Sequence, residues 1–343
     1  MNIFITGGAG FIGTHTANFY LKAENKVAIF DNFSRKGTRE NIKWLEKQYG
    51  PKNIKIVEGD VRDFDKLKQS IVGHNVIIHL AGQVAVTTSV VNPREDFEIN
   101  ALGTFNILES VRLYSPDSIL LFASTNKVYG GMEEIKIIKK GNKYIYRDLP
   151  GGIAETQNLD FHSPYGCSKG TADQYVRDYH RIYGLKTVVF RQSCIYGTHQ
   201  FGIEDQGWVS WFTIASVLGK PITVYGDGMQ VRDVLFVEDL VRAYDMAVLN
   251  IGKAAGKIYN VGGGPEFTLS LLELLALLEK KLGKKIPFTS ADWRPGDQPV
   301  YVSDISKINK ELGWEPKIDV QEGTSRMIDW IVKEKELIEK VLI

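Results

Sequence analysis

The 343-residue chain sets 42 Lys and Arg against 41 Asp and Glu, a formal net charge of +1, so a nucleic-acid partner has no electrostatic footing. The length allows one large domain or two smaller ones, and no apolar run approaches the roughly 18 residues of a membrane helix. Its two cysteines, Cys167 and Cys194, have neither metal-site nor disulfide-framework spacing, so no metal is expected and a reducing compartment fits.

NIFIT (2–6) is a short apolar run, followed by GGAGFIG (7–13) and a helical pattern through Leu21. No basic leader or cleavage site precedes it, so a soluble, cytoplasmic protein is expected. KVAIFD (26–31), IKIVEGD (54–60), VIIHLAG (76–82) and ILLFAST (119–125) repeat the strand theme, with helical stretches between them. That alternation indicates βαβ units and a parallel sheet. A long helix is expected from Asp96 to Leu113. EIKIIKKGNKYIYRD (134–148) alternates and turns at Gly141-Asn142, so it reads as a hairpin with the basic run KKGNK at its tip. LKTVVFR (185–191) is another strand.

After residue 191 the rhythm breaks into the aromatic, loop-like IYGTHQFGIEDQGWVSWF. VRDVLFVEDLVRAYDMAV (231–248) and IYNVGGG (258–264) look like a return to the sheet. SLLELLALLEKKLG (270–283) is an amphipathic helix opened by a capping box of Ser270 and Glu273. The expected architecture is α/β, a doubly wound parallel sheet of the Rossmann type with a smaller, mostly C-terminal domain. Residues 1–190 plus about 231–264 make the first unit, and about 191–230 and 265–343 the second.

Gly7, Gly10 and Gly13 form G-x-x-G-x-x-G between a strand and a helix. Such glycines permit a tight turn, close approach of backbone to a pyrophosphate, and close helix–strand packing. The helix N-terminus offers free N–H groups to phosphate. Asp31 ends the next strand, where an acid accepts bonds from a ribose hydroxyl. It repels a 2′-phosphate, which favours NAD over NADP, although Arg35 and Lys36 nearby pull the other way.

HSPYGCSKG (162–170) sets Tyr165 and Lys169 at i, i+4 near a helix start. Taken alone, such a pair is a core tyrosine and a solvated lysine. On a helix they share one face, their Cβ atoms about 5–6 Å apart. A phenol titrates near pH ~10, and a neighbouring ammonium lowers that value toward what a general base needs. Ser124 and Thr125 stand at the carboxyl end of a strand, where open α/β sheets bind ligands.

The glycine loop, the Ser/Thr strand end and Tyr165-x-x-x-Lys169 together resemble the extended short-chain dehydrogenase/reductase family over essentially the whole chain. VRD (231–233) and RPGDQPVYVSD (294–304) resemble its nucleotide-sugar branch. STNKVYG, FHSPYGCSKG with ADQY, and FGIEDQGWVSWF are similar to that branch's 2-epimerases of CDP-activated sugars. The resemblance implies Tyr165 as base, Lys169 as its partner and Thr125 as the catalytic hydroxyl. It implies NAD contacts from Gly7, Gly10, Phe11, Ile12, Gly13, Asp31, Asn32, Ser34, Asp60, Val61, Leu80, Ala81, Gln83, Asn100 and Ser124, with Tyr165 and Lys169.

For the substrate it implies Asn126, Lys127, Ser193, Gln206, Arg232, Arg294, Asp297 and Tyr301, the two arginines gripping the diphosphate. Trp208 and Trp211 are either pocket wall or core. Cys194 replaces an asparagine of the 4-epimerases, and Asn126-Lys127 replaces the Asp-Glu pair of the 4,6-dehydratases. Inversion at C2 through a 2-keto stage is therefore expected, on CDP-paratose or CDP-glucose, in a homo-oligomer (dimer or tetramer). A 4-epimerase and a catalytically silent NAD-sensing protein are the alternatives.

Overall fold

A computed structural model describes residues 1–294 and 297–342; Pro295 and Gly296 of the RPGDQP stretch lie outside the described residues. Seven parallel strands form one sheet in the order Lys257–Val261, Lys186–Gln192, Ile119–Thr125, Val76–His79, Asn2–Thr6, Lys26–Asp31 and Ile54–Glu58. Most of these strands are apolar runs buried on both faces, as a parallel sheet between helices requires. Alternation divides each strand between two cores. Ile3, Ile5 and Ile29 pack with Tyr20, Leu45 and Leu240 on one face, while Phe4, Phe30 and Ile77 pack with Ile107, Val111 and Val176 on the other. The sheet is the doubly wound one expected. Strand order reverses between Asn2–Thr6 and Val76–His79, which opens a crevice at their carboxyl ends.

Val231–Phe236 does not return to this sheet. It pairs antiparallel with Thr268–Ser270 and parallel with Val300–Tyr301 and Cys194–Tyr196, over a core of Val234, Phe236, Leu269, Leu274 and Ile331. A strand buried on both sides does not reveal which sheet it joins. The helix Val237–Leu249 that follows does pack on the large sheet, through Leu240, Ala243 and Tyr244. So do Ile308, Leu312 and Trp314 from the stretch expected in the second unit. The Trp314 Nε1 donates to the Asp239 carbonyl at 2.9 Å.

The hairpin is present, Ile137–Lys140 against Lys143–Tyr146, with Gly141 at φ +61° in its turn. The long helix starts earlier than expected, at Pro93 after an Asn92 cap, and widens to a π turn over Glu98–Leu102 before Gly103–Tyr114. The Ser270–Glu273 capping box forms as read. No described helix is long and apolar enough to cross a membrane.

Candidate active site

The crevice at the strand-order switch is a cleft of about 260 Å³. Gly7 turns with φ +66°, and a Cβ there would stand 2.7 Å from the Ala81 nitrogen across the switch. A Cβ on Gly13 would run into the Gly7 carbonyl. The helix Phe11–Lys22 starts at Gly10 with no side-chain cap and no acid in its first turn, so its leading N–H groups remain free for an anion. Asp31 accepts the Ala9 and Phe33 amides at 3.0 and 2.8 Å. Burial pushes its carboxyl up, against the pull of those amides. Asn32 donates to Asp60 at 2.9 Å, and Arg62 holds the Asp60 carboxyl down at about 2. Phe11, Ile12, Asn32, Ser34, Asp60, Val61, Leu80, Ala81, Ser124, Tyr165 and Lys169 also line this cleft. Bare backbone at a helix start and a ribose-facing acid are what a dinucleotide needs, so the cradle fits NAD.

Gln83 and Asn100 do not line the cleft. They lie behind its wall, with the Gln83 amide on Asn100 Oδ1 at 2.9 Å and both side chains donating to the buried Asp96 carboxylate at 3.0 and 3.1 Å. Asp96 also accepts from Ser168, one turn after Tyr165 and next to Lys169.

Thr125 ends its strand in register with Gln192. Tyr165 and Lys169 come from the helix Ser163–Tyr183, and all three side chains are buried. Lys169 does not lower the phenol as the spacing suggested. Burial pushes Tyr165 up to about 12; the Thr125 hydroxyl and Arg35 hold it back, and Asp96 adds to the rise. Lys169 instead donates to the Ala123 carbonyl at 2.6 Å and stands 4.3 Å from the centre of the Phe122 ring. Burial brings its ammonium down to about 8, against Asp173 and Asp96. A helix face sets direction only, and the lysine stem reaches past the phenol to the strand end. Ser124 donates to Asp173 at 2.7 Å, and Asp173 pairs with the equally buried Arg191 at 2.9 Å.

A second cavity of about 350 Å³ is lined by Thr125 and by Tyr165, which lines the first as well. Asn126, Lys127, Ser193, Gln206, Arg232, Arg294 and Asp297 line it, with Cys194 and Trp208. Arg232 donates to Asp297 at 2.6 Å and to the Gln298 carbonyl at 2.7 Å. Arg294 pairs with Asp205 at 3.1 Å and lies 4.0 Å over the Tyr225 ring. Burial and then Arg232 bring Lys127 down to about 8, with Asp297 opposing. Burial pushes the Cys194 thiol up to about 12. Trp211 packs against the core of Val234, Phe236 and Leu274 and does not line the cavity. Tyr301, expected at the substrate, is fully buried and stacks on Tyr129 with ring centres 6.2 Å apart. It pairs with Arg232 across the sheet and follows Arg294 by seven residues, but its burial keeps the side chain out of the cavity that both arginines line.

Sequence reasoning placed Gln206 at the substrate but missed Gln200 and Phe201 in the same loop. Gln200 and Phe201 reach the first cleft, and Gln206 lines both cavities. One signal was present: Gly37 has φ +84°, and a Cβ there would fall on the Phe201 ring. Asp173 and Arg191 were also unread, because only folding brings them together.

The sequence family described as GDP-mannose 4,6 dehydratase matches residues 4–327. The CDP-paratose 2-epimerase of Salmonella typhi is 46% identical over 337 residues, which is 96% of this chain and 99% of that protein. Among solved structures, the UDP-glucose 4-epimerase of Thermotoga maritima with UDP-glucose is 29% identical with a TM-score of 0.84, covering 98% of this chain and 100% of that one. The dTDP-glucose 4,6-dehydratase DesIV of Streptomyces venezuelae, with NAD and TYD bound, is 28% identical with a TM-score of 0.85, covering 99% and 100%.

Proposed function

The chain belongs to the GDP-mannose 4,6-dehydratase family, within the extended short-chain dehydrogenases/reductases, and from that premise we propose that it inverts C2 of a CDP-activated sugar. It is an NAD-dependent epimerase, an isomerase that converts CDP-paratose to CDP-tyvelose. The observation that carries this reading is the wall shared by the two cavities. Tyr165 faces both the dinucleotide cradle and a cavity with two arginines, Thr125 faces that cavity beside it, and the residues after Thr125 are Asn126 and Lys127, which offer no carboxylate for dehydration.

NAD, when bound, supplies the acceptance and return of a hydride. Gly7, Gly10 and Gly13 with the leading amides of Phe11–Lys22 hold its diphosphate, and Asp31 holds a ribose. Tyr165 takes the proton of the C2 hydroxyl and later returns it. Thr125 steadies that oxygen. Lys169, anchored on the Ala123 carbonyl at the strand end, holds the cofactor's other ribose. Arg232 and Arg294 exchange Asp297 and Asp205 for the substrate diphosphate. Arg-to-phosphate contacts are charge-assisted and directional. The large sheet carries the cofactor, and the rest of the chain after residue 190 supplies most of the sugar-nucleotide wall. The exposed Phe105, Tyr175, Ile182 and Tyr183 on neighbouring helices give one face for a second copy, so a homo-oligomer belongs to the same proposal. The two free cysteines agree with a cytoplasmic setting.

Take CDP-paratose deuterated at C2 and run it to equilibrium in ordinary water. The CDP-tyvelose formed should keep the label at C2, and the reaction should consume no added NAD. Loss of label to solvent, or inversion at C4 instead, overturns the reading.

A further inference from the structure

We propose that Lys127 seats the sugar-proximal phosphate of the substrate and so makes C2 the carbon that reacts. The inference rests on the C2-epimerase reading above and deepens it.

The chemistry sets the requirement. In a sugar diphosphate the phosphate hangs on C1. An enzyme that oxidises C2 must hold the carbon next to C1 against its catalytic hydroxyls, so the sugar-proximal phosphate arrives beside them. An enzyme that oxidises C4 holds the far side of the ring, and its phosphate stays away. A 2-epimerase therefore needs a cation close to Thr125 and Tyr165, in addition to the two arginines of the cavity.

Lys127 is placed to be that cation. It stands two residues past Thr125, and its backbone N–H donates to the Thr125 hydroxyl at 3.2 Å. Its ammonium lines the cavity that Thr125, Tyr165, Arg232 and Asp297 share. Its one side-chain bond goes to the neutral Gln298 Oε1 at 3.3 Å. Gln298 is itself buried and fixed by the Gly130 carbonyl. Arg232 and Arg294 each hold a carboxylate, whereas Lys127 makes no ion pair among the described residues. Two like charges, Lys127 and Arg232, thus face one cavity in which Asp297 lies against Arg232, while Asp205 is taken by Arg294 and Glu204 accepts from the Tyr225 hydroxyl. An anion between them relieves that repulsion and gains charge-assisted hydrogen bonds from both. A carboxylate at position 127 would repel the same anion. The residue that removes dehydratase chemistry is then the one that brings the phosphate to the reacting carbon.

The test uses CDP and CMP, because CDP carries the sugar-proximal phosphate and CMP lacks it. Titrate both by calorimetry into the wild type, Lys127→Met and Lys127→Arg, with thermal unfolding of each variant as a check on folding. Lys127→Met should weaken CDP by about 10- to 100-fold, the span of one charge-assisted hydrogen bond, and leave CMP unchanged. Lys127→Arg should restore most of the CDP affinity. The kcat/KM for C2 inversion should fall with CDP affinity. An equal loss for CMP and CDP would show that Lys127 merely supports the pocket, and that sinks the inference. So does unchanged CDP affinity with a raised KM for the CDP-sugar, since the lysine then meets a sugar hydroxyl. The wild type's product is read separately. If it inverts C2 while the CDP-to-CMP ratio ignores Lys127, this inference falls and the function stands; if it inverts C4, both fall.

Discussion

Replacing Arg191 by Met tests the support beneath the catalytic strand end. Arg191 and Asp173 are 2% and 0% exposed, and the guanidinium binds the carboxylate through Nε at 3.0 Å and through a terminal nitrogen at 2.9 Å. The same carboxylate takes the Ser124 hydroxyl at 2.7 Å, and the same guanidinium donates to the Tyr129 hydroxyl at 3.1 Å. Tyr129 in turn donates to Asn260 at 2.7 Å, on the edge strand of the large sheet. Removing one partner leaves a buried charge without compensation, which costs about 3–5 kcal/mol. In a protein of this size that lowers Tm by roughly 4–7 °C. Asp173→Leu should cost a similar amount, but Arg191→Met with Asp173→Leu should cost clearly less than the sum, because no charge remains buried alone. Calorimetry at one fixed NAD concentration reads all four corners of the cycle, since bound ligand adds to stability. Single variants that melt within about 2 °C of the wild type, or a double variant equal to the sum, would refute the argument.

Tyr165→Phe should abolish turnover while CDP and NAD still bind, because only the ionisable oxygen is lost; near-normal epimerisation would remove the phenol from its role. Arg232→Ala and Arg294→Ala should each weaken CDP-sugar binding about tenfold or more and leave NAD binding nearly unchanged, measured by titration. His79 donates to or accepts from Thr6 and Thr104, and burial pushes its imidazole down to about 3. Between about pH 6.5 and 3 the unfolded chain binds a proton there that the native one does not, so this stabilising contribution is whole above 6.5 and drains away as pH falls. Urea unfolding from pH 7 to 5 should therefore be less acid-sensitive in His79→Gln than in the wild type, and an unchanged slope counts against the reading.

Legibility followed the range of the interactions. The large sheet was readable because each strand is an apolar run and each helix an apolar face, both local patterns. The glycine cradle was readable for the same reason, since Gly7, Gly10 and Gly13 interact within one turn. The sheet membership of Val231–Phe236 was not, because a strand's partners lie elsewhere in the chain. The burial of Tyr301 was hidden likewise, since Tyr129, its stacking partner, is far away in sequence. Helical spacing placed Tyr165 and Lys169 correctly, but it could not show that Lys169 reaches the Ala123 carbonyl or that burial governs the phenol.

The cations of the substrate cavity are not equivalent, and the difference bears on how one frame serves different carbons. Arg232 already holds Asp297, and Arg294 already holds Asp205. A phosphate that displaces a carboxylate gains only the difference between two anions. The arginines therefore hold a diphosphate in place without distinguishing which sugar carbon faces Tyr165. Those carboxylates also keep each guanidinium oriented before substrate arrives, which reduces the ordering left for binding. Lys127 has no carboxylate to give up, so an anion gains its whole charge there. The arginines are common ground for any sugar nucleotide, whereas the lysine sits where only a substrate presenting C2 brings its phosphate. If Lys127 seats that phosphate as proposed, position specificity turns on one side chain beside Thr125, on a frame whose cofactor cradle and arginines need not change.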